Sequence, residues 1–159
     1  MLIFSSIKNA LFLIFIFCIS FFSCKKYEEG PYFSIYSKEH RVVGEWDIEY
    51  LSINGYDSTQ YFRNSPSYGY YEFKKYKDGR KYIFHSYLNG HIVDGFWQFT
   101  NQKKSIATGG TGNSNIQPIG PIATGKHVDY WNIKRLTEKE MWLETTFESR
   151  IFYVKYTLK

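Results

Sequence analysis

From Val42 onward the chain alternates with a period of two, which restricts it to half-buried strands. Trp46, Ile48 and Tyr50 fall on one face of the first run, and Glu45, Asp47 and Glu49 fall on the other. Asn54-Gly55 ends that run. Further runs occupy 68–76, 80–88 and 91–100, joined by Lys77-Asp78-Gly79 and Asn89-Gly90. Asn and Gly tolerate the positive φ that tight hairpins need, so these junctions read as hairpin turns. A short run lies at 104–107, and three more close the chain at 127–136, 141–148 and 150–158. No stretch carries a convincing helical period. The reading is an all-β, up-and-down antiparallel meander of about eight strands. A sheet that wide has two bare edges unless it closes, so the expected form is a barrel.

Residues 108–126 interrupt the pattern with a Gly- and Pro-rich stretch, TGGTGNSNIQPIGPIATGK. Long structureless inserts in compact domains are functional or disordered. The expectation is an excursion at one barrel mouth, with Ile116, Ile119 and Ile122 available to fold over the opening or meet a partner. Ile-Ala-Thr-Gly occurs at 106–109 and again at 122–125, as if marking two stems of one long hairpin.

The N-terminus carries an address. Lys8 precedes an apolar run from Ala10 to Ile19, and Ser20-Phe21-Phe22-Ser23-Cys24 follows. A spanning helix needs about 20 apolar residues, and this run is shorter, so residues 1–23 read as a secretory signal peptide. Ser23-Cys24 resembles a bacterial lipobox, which implies that Cys24 becomes the lipidated N-terminus, acylated with a chain of the palmitate kind. Residues 24–40 then form a lipid-bearing, flexible tether, broken by Gly30-Pro31, and 41–159 form the barrel domain. Lys25-Lys26-Tyr27-Glu28-Glu29 resembles the short charged export signals of Bacteroidota lipoproteins. Cys18 leaves with the signal, so the mature chain has no disulfide and its stability must come from packing.

The net charge of +5 is a mild excess spread along the chain, which does not fit a nucleic-acid protein. All 15 Tyr and all four Trp follow the signal. Side chains with an apolar body and a polar tip suit half-buried strand positions and binding surfaces. In Tyr70–Lys77 bases and aromatics interleave, the pattern of one strand face in the core and one in water. Gly120–His127 nearly spells a phosphate-binding loop. A strand pattern follows it, however, Pro121 removes an amide, and His127 stands where a hydroxyl would hold magnesium. His40, His85, His91 and His127 are scattered without metal-ligand spacing. A two-residue turn at Asn89-Gly90 pairs Leu88 with His91 and His85 with Asp94. A polar cross-strand pair of that kind is ordinary sheet chemistry, and no nucleophile stands beside it.

Gly44-Glu45-Trp46 resembles the Gly-x-Trp that opens lipocalin barrels, and Val128-Asp129-Tyr130 resembles that family's Thr-Asp-Tyr motif, with Val for Thr. The stretch Trp131–Leu143 looks like the closing hairpin of lipocalin-like domains in Bacteroidota lipoproteins. The resemblance brackets residues 41–158. It implies a lipocalin-like barrel with Trp46 plugging one end. Arg150 and Arg135 are both open as the basic residue under that Trp. It also implies a binding habit without naming a ligand.

The combined expectation is a lipoprotein of the cell envelope, anchored in the outer membrane and facing either the periplasm or the cell surface. Its barrel is a non-catalytic binding module for a small apolar or amphipathic ligand, without cofactor or metal. Candidate ligand-binding residues are Tyr82, Phe84, Trp97, Phe99 and Tyr130. The alternative is a barrel with a filled interior that recognises a protein or glycan through its loops, chiefly 108–126. Partners on either reading are the membrane and a small ligand or an envelope protein.

Overall fold

The computed structural model describes residues 27–30, 34–65, 68–75, 82–88, 91–110 and 128–159, with the backbone alone for 82–88, 91–94 and 110. The stretch read as a signal peptide and Cys24 lie outside the described residues, as do 111–127. A short helix α1 (Lys38–Val42) leads into β1 (Gly44–Ile53). Then come β2 (Tyr56–Asp57), helix α2 (Thr59–Arg63), β3 (Gly69–Lys75), β4 (Tyr82–Leu88) and β5 (His91–Thr100). A 3₁₀ turn (Asn101–Lys103), β6 (Ser105–Gly110), β7 (Val128–Leu136), β8 (Glu140–Phe147) and β9 (Arg150–Leu158) complete the chain.

The strands from β3 to β9 pair antiparallel in chain order. β1 pairs with β3 through Gly44–Asp47 on one edge and with β9 through Trp46–Ile53 on the other. That second pairing joins the ends of the sheet, so eight strands form a hydrogen-bonded ring, an up-and-down barrel. β2 only extends one edge of β1, opposite Ser52 and Ile53. The turn that makes it is Asn54-Gly55, with φ of 52° and 82°, the left-handed pair that a tight hairpin demands. The two-residue turn read at Asn89-Gly90 has the expected register: Leu88 opposes His91 and His85 opposes Asp94.

The two helices have five residues each, too short for a helical period to register in the sequence. The sequence does hold a start signal for α1. Ser37 accepts the His40 amide at 3.1 Å as its N-cap.

The alternation of β1 holds only for its first half. The β1–β9 register shifts between Ile48 and Tyr50. One extra residue in a ladder reverses the phase of everything beyond it. Leu51, not Tyr50, is therefore buried with Trp46 and Ile48. Tyr50 lies on the outer face, edge-on to Tyr153 and beneath the Lys155 ammonium. A second shift in β7, between Ile133 and Arg135, brings Leu136 into the core.

Large side chains fill the barrel along the described strands. Trp46, Tyr71, Phe73, Trp97, Ile106, Trp131, Leu143 and Val154 are all buried in one cluster. Their rings meet edge to face, with Tyr71–Tyr156 centroids 5.7 Å apart and Phe73–Trp97 5.8 Å apart.

The barrel has two distinct ends. At one, called the base, lie α1, the 3₁₀ turn, the β7–β8 turn and Trp46. At the other, called the rim, lie the β1–β3 connection with α2, the β4–β5 and β8–β9 turns, and the two ends of the 111–127 connection. Within the stretch read as a tether, Tyr27–Gly30 is docked on the base: Glu29 N–H donates to the Lys134 carbonyl at 2.8 Å, and Tyr27 is buried.

Candidate functional site

The β7–β8 ladder is incomplete. Pairing runs from Leu136↔Met141 at the base to Asn132↔Glu144 and stops there. On their other sides both strands continue towards the rim. Val128 still pairs with Gly109 of β6, and Phe147 still pairs with Arg150 of β9. Toward the rim, then, β7 and β8 are each held from outside and not bridged to one another. The gap between them is a cleft of about 410 Å³.

The two strands contribute both of their faces to the lining. Asp129 and Thr145 belong to the inward-facing rows and are buried. Tyr130, Asn132 and Thr146 belong to the outward-facing rows, and Val128 and Phe147 complete the wall. A lining drawn from both faces means that the cleft passes through the barrel wall. Its chemistry is mixed: hydroxyls, an amide and a carboxylate stand beside an aliphatic and two aromatic groups. Behind it Trp131 donates its indole N–H to Thr108 Oγ1 at 3.2 Å, so the interior wall there is fixed. Below it Lys134 bridges Glu144 at 3.3 Å and Glu28 at 2.6 Å. The Glu28 carboxylate, and after it Glu144, raises the Lys134 pKa and holds the ammonium charged.

Among the described sequence-based candidates, Trp97 and Phe99 pack in the barrel interior and Tyr130 lies at the cleft. Trp97 is fully buried and donates its indole N–H to the Lys74 carbonyl at 3.1 Å. Phe99 packs edge-on against it at 5.6 Å with Lys103 over its other side. Both take part in the packing of the barrel interior. Tyr130 is 62% exposed and lines the cleft. Tyr82 and Phe84 stand on β4, and their side chains lie outside what is described.

Trp46 is 0% exposed at the base, and its indole N–H donates to the Val42 carbonyl at 2.8 Å. Arg150 pairs with Glu148 at the rim, and Arg135 pairs with Glu140 on the outer face over Trp142. The buried guanidinium at the base is that of Arg41, which donates to the Leu136 carbonyl at 2.6 Å.

Of the stretch 108–126, the first three residues are strand, because β6 runs to Gly110. A Cβ on Gly109 would lie 2.6 Å from the Phe96 ring, so this glycine serves a close approach inside the sheet rather than a loop. The remainder lies outside the described residues. Among the described residues no group of three or more His, Cys, Asp or Glu is placed to hold a metal.

Sequence reasoning missed Asp129, Thr145, Thr146 and Phe147 as a set. One signal was available: Asp129 and Thr145 are polar residues in the core-facing phase of their strands.

No family model matches this chain, and no curated protein matches it. Among solved structures it is similar to a lipocalin-like protein from Bacteroides uniformis. The two are 12% identical, with a TM-score of 0.47, over 75% of this chain and 99% of the other.

Proposed function

We propose that this chain is a lipid-anchored protein of the cell envelope whose barrel is a non-catalytic binding module for a small amphipathic molecule held in the β7–β8 cleft. The observation that carries the reading is a cleft of about 410 Å³ with polar and apolar groups side by side, in a barrel otherwise packed along its described strands. Small-molecule sites fall in the range of about 300–1,000 Å³ and combine apolar walls with a few placed polar groups. The ligand enters through the wall rather than along the barrel axis, because Trp97 and Phe73 already occupy the centre. The test is Thr146→Trp, which fills the cleft from its outer row and leaves the core untouched. Binding of the amphipathic dye anilinonaphthalene sulfonate, and of any small molecule found by mass spectrometry on the purified native chain, should fall at least about tenfold with the melting temperature unchanged. Undiminished binding of both removes the cleft as the site.

A second reading is favoured by the rim. Tyr56 and Tyr61 are 78% and 70% exposed on the β1–β3 connection, at the same end as Tyr130. Tyrosines of this kind suit a protein or glycan partner lying across the rim. On that reading Thr146→Trp leaves recognition intact, and alanine at Tyr56 and Tyr61 abolishes it.

A further inference from the structure

Residues Tyr27–Gly30 are tied to the barrel base by contacts that reach far across the chain. The Tyr27 hydroxyl donates to the Lys103 carbonyl at 3.1 Å. Lys38 Nζ donates to the same carbonyl at 2.6 Å and sits 4.7 Å over the Tyr27 ring. Glu29 is held from both sides, its N–H by the Lys134 carbonyl at 2.8 Å and its carbonyl by the Arg135 guanidinium at 2.8 Å. Arg135 and Lys134 belong to the base half of β7, and Lys103 ends the 3₁₀ turn. Tyr27 is therefore fixed at the base.

Resting on the reading that Cys24 carries lipid, we propose that the base is a membrane-docking surface. It sits on the phospholipid headgroups of the leaflet that holds the acyl chains, with the β7–β8 cleft and the rim turned away. The reach of the chain decides this. Two residues lie between Cys24 and Tyr27, and the three Cα-to-Cα steps reach at most about 11 Å when fully extended. β9 has nine residues. At about 3.3 Å each and a strand tilt near 40°, it spans about 23 Å between base and rim. A tether half that length cannot turn the rim to the membrane while Tyr27 stays docked.

Charge points the same way. Lys103, Lys104, Lys139 and Lys159 are exposed at the base, and Lys25 and Lys26 lie between the lipid and Tyr27. Of the acidic groups there, Glu28, Glu39 and Glu140 are paired with Lys134, Lys103 and Arg135. Lys103 is taken up by Glu39, and Glu29, Glu45 and Glu138 offset Lys104, Lys139 and Lys159, which leaves Lys25 and Lys26, beside the lipid, as the cationic surplus of the exposed base. At the rim, the exposed Arg63 and Arg150 are matched by Asp57 and Glu148. An anionic headgroup surface attracts the base and is indifferent to the rim.

The experiment uses the full chain made in bacteria, carrying one dye on Lys139→Cys at the base or on Ser149→Cys at the rim. It is reconstituted in vesicles of phosphatidylethanolamine and phosphatidylglycerol bearing a headgroup acceptor. Energy transfer should be stronger from position 139 by about twofold or more, given a base-to-rim distance near 23 Å. A flexible Gly-Ser linker of about 15 residues between Lys26 and Tyr27 should level the two positions without lowering the melting temperature. Flotation and the count of labelled thiols in the same samples report on the anchor. A chain that does not float, or that labels at Cys24 as well, overturns the lipid reading and the orientation with it. A chain that floats with equal transfer from both positions, or with stronger transfer from 149, overturns the orientation alone.

Discussion

Trp46 closes the base of the barrel in two ways, and the two can be measured apart. Its side chain is fully buried in the central cluster, and its indole N–H donates to the Val42 carbonyl, at the C-terminus of α1. The last carbonyls of a helix lack partners within it, so the indole acts as a cap as well as a plug. Trp46→Ala removes both roles, and truncations of this kind cost about 3–5 kcal/mol. For a domain of this size that corresponds to a melting temperature lower by about 10–20 °C. Trp46→Phe keeps most of the apolar volume and loses the donor, leaving the Val42 carbonyl short of one hydrogen bond in a buried setting. That loss alone is worth about 1–2 kcal/mol. Urea melts of the domain, followed by circular dichroism with the slope held common to all variants, should rank native, Phe and Ala in that order with unequal steps. A loss under about 1 kcal/mol for Trp46→Ala would refute the core position. Equal losses for Phe and Ala would refute the division between cap and plug.

Two further outcomes follow from the same region and from the aromatic core. Gly44 has φ of 151°, and a Cβ there would lie 2.6 Å from Leu158 Cδ1. Gly44→Ala should therefore cost about 1–3 kcal/mol in the same melts. Adding Leu158→Ala should relieve the clash and leave the φ strain, so that part of the added alanine's cost persists. At high pH the buried tyrosines set the limit of stability. Burial pushes the hydroxyls of Tyr71 and Tyr156 well above the usual tyrosine range, and burial first, then the Glu29 charge, pushes that of Tyr153 up to about 12. Their unfolded pKa is about 10, so the folded state favours the neutral form. The stability they contribute is complete below pH 10 and is lost as pH rises through the folded values. Tyrosinate absorbance from these residues should then appear together with loss of the β-sheet spectrum. Full ionisation of all tyrosines while the sheet spectrum persists would contradict it.

The sheet was legible in the sequence because local chemistry and global topology agree in it. Asn54-Gly55 is a turn by its own residue types, and Leu88 opposite His91 is the register that a two-residue turn gives. Where the sequence misled, a non-local cause intervened. Tyr50 shares the phase of Trp46 and Ile48, and only the register of β9 against β1 reverses it. Gly109 looks like the start of a glycine-rich loop, yet it is a strand residue that makes room for the Phe96 ring of the neighbouring strand. Tyr27 belongs to a segment without periodicity, and its burial depends on Lys103, 76 positions away. A period of two reports whether a residue lies in a strand. It does not report what the partner strand does to its phase, nor what packs on the end of the barrel.

The site was harder to read for a related reason. A cavity lined by aromatic side chains presumes a hollow centre. Trp97 packs against Phe73, and Phe99 packs against Trp97. Open space instead arises where pairing fails, between Asn132↔Glu144 and the rim. The residues that line it are unremarkable as a string. Thr145-Thr146-Phe147 continues the alternation of β8 without a break, and Val128-Asp129-Tyr130 does the same for β7. What marks them is the conjunction of two polar residues, Asp129 and Thr145, in inward rows of adjacent strands near the same end. In a barrel that fills its centre with tryptophan, adjacent polar groups in inward rows sit where the core thins and the wall can open. Carried over to other closed sheets, the same argument locates a cleft by polar residues that share a phase across two neighbouring strands rather than by aromatic count.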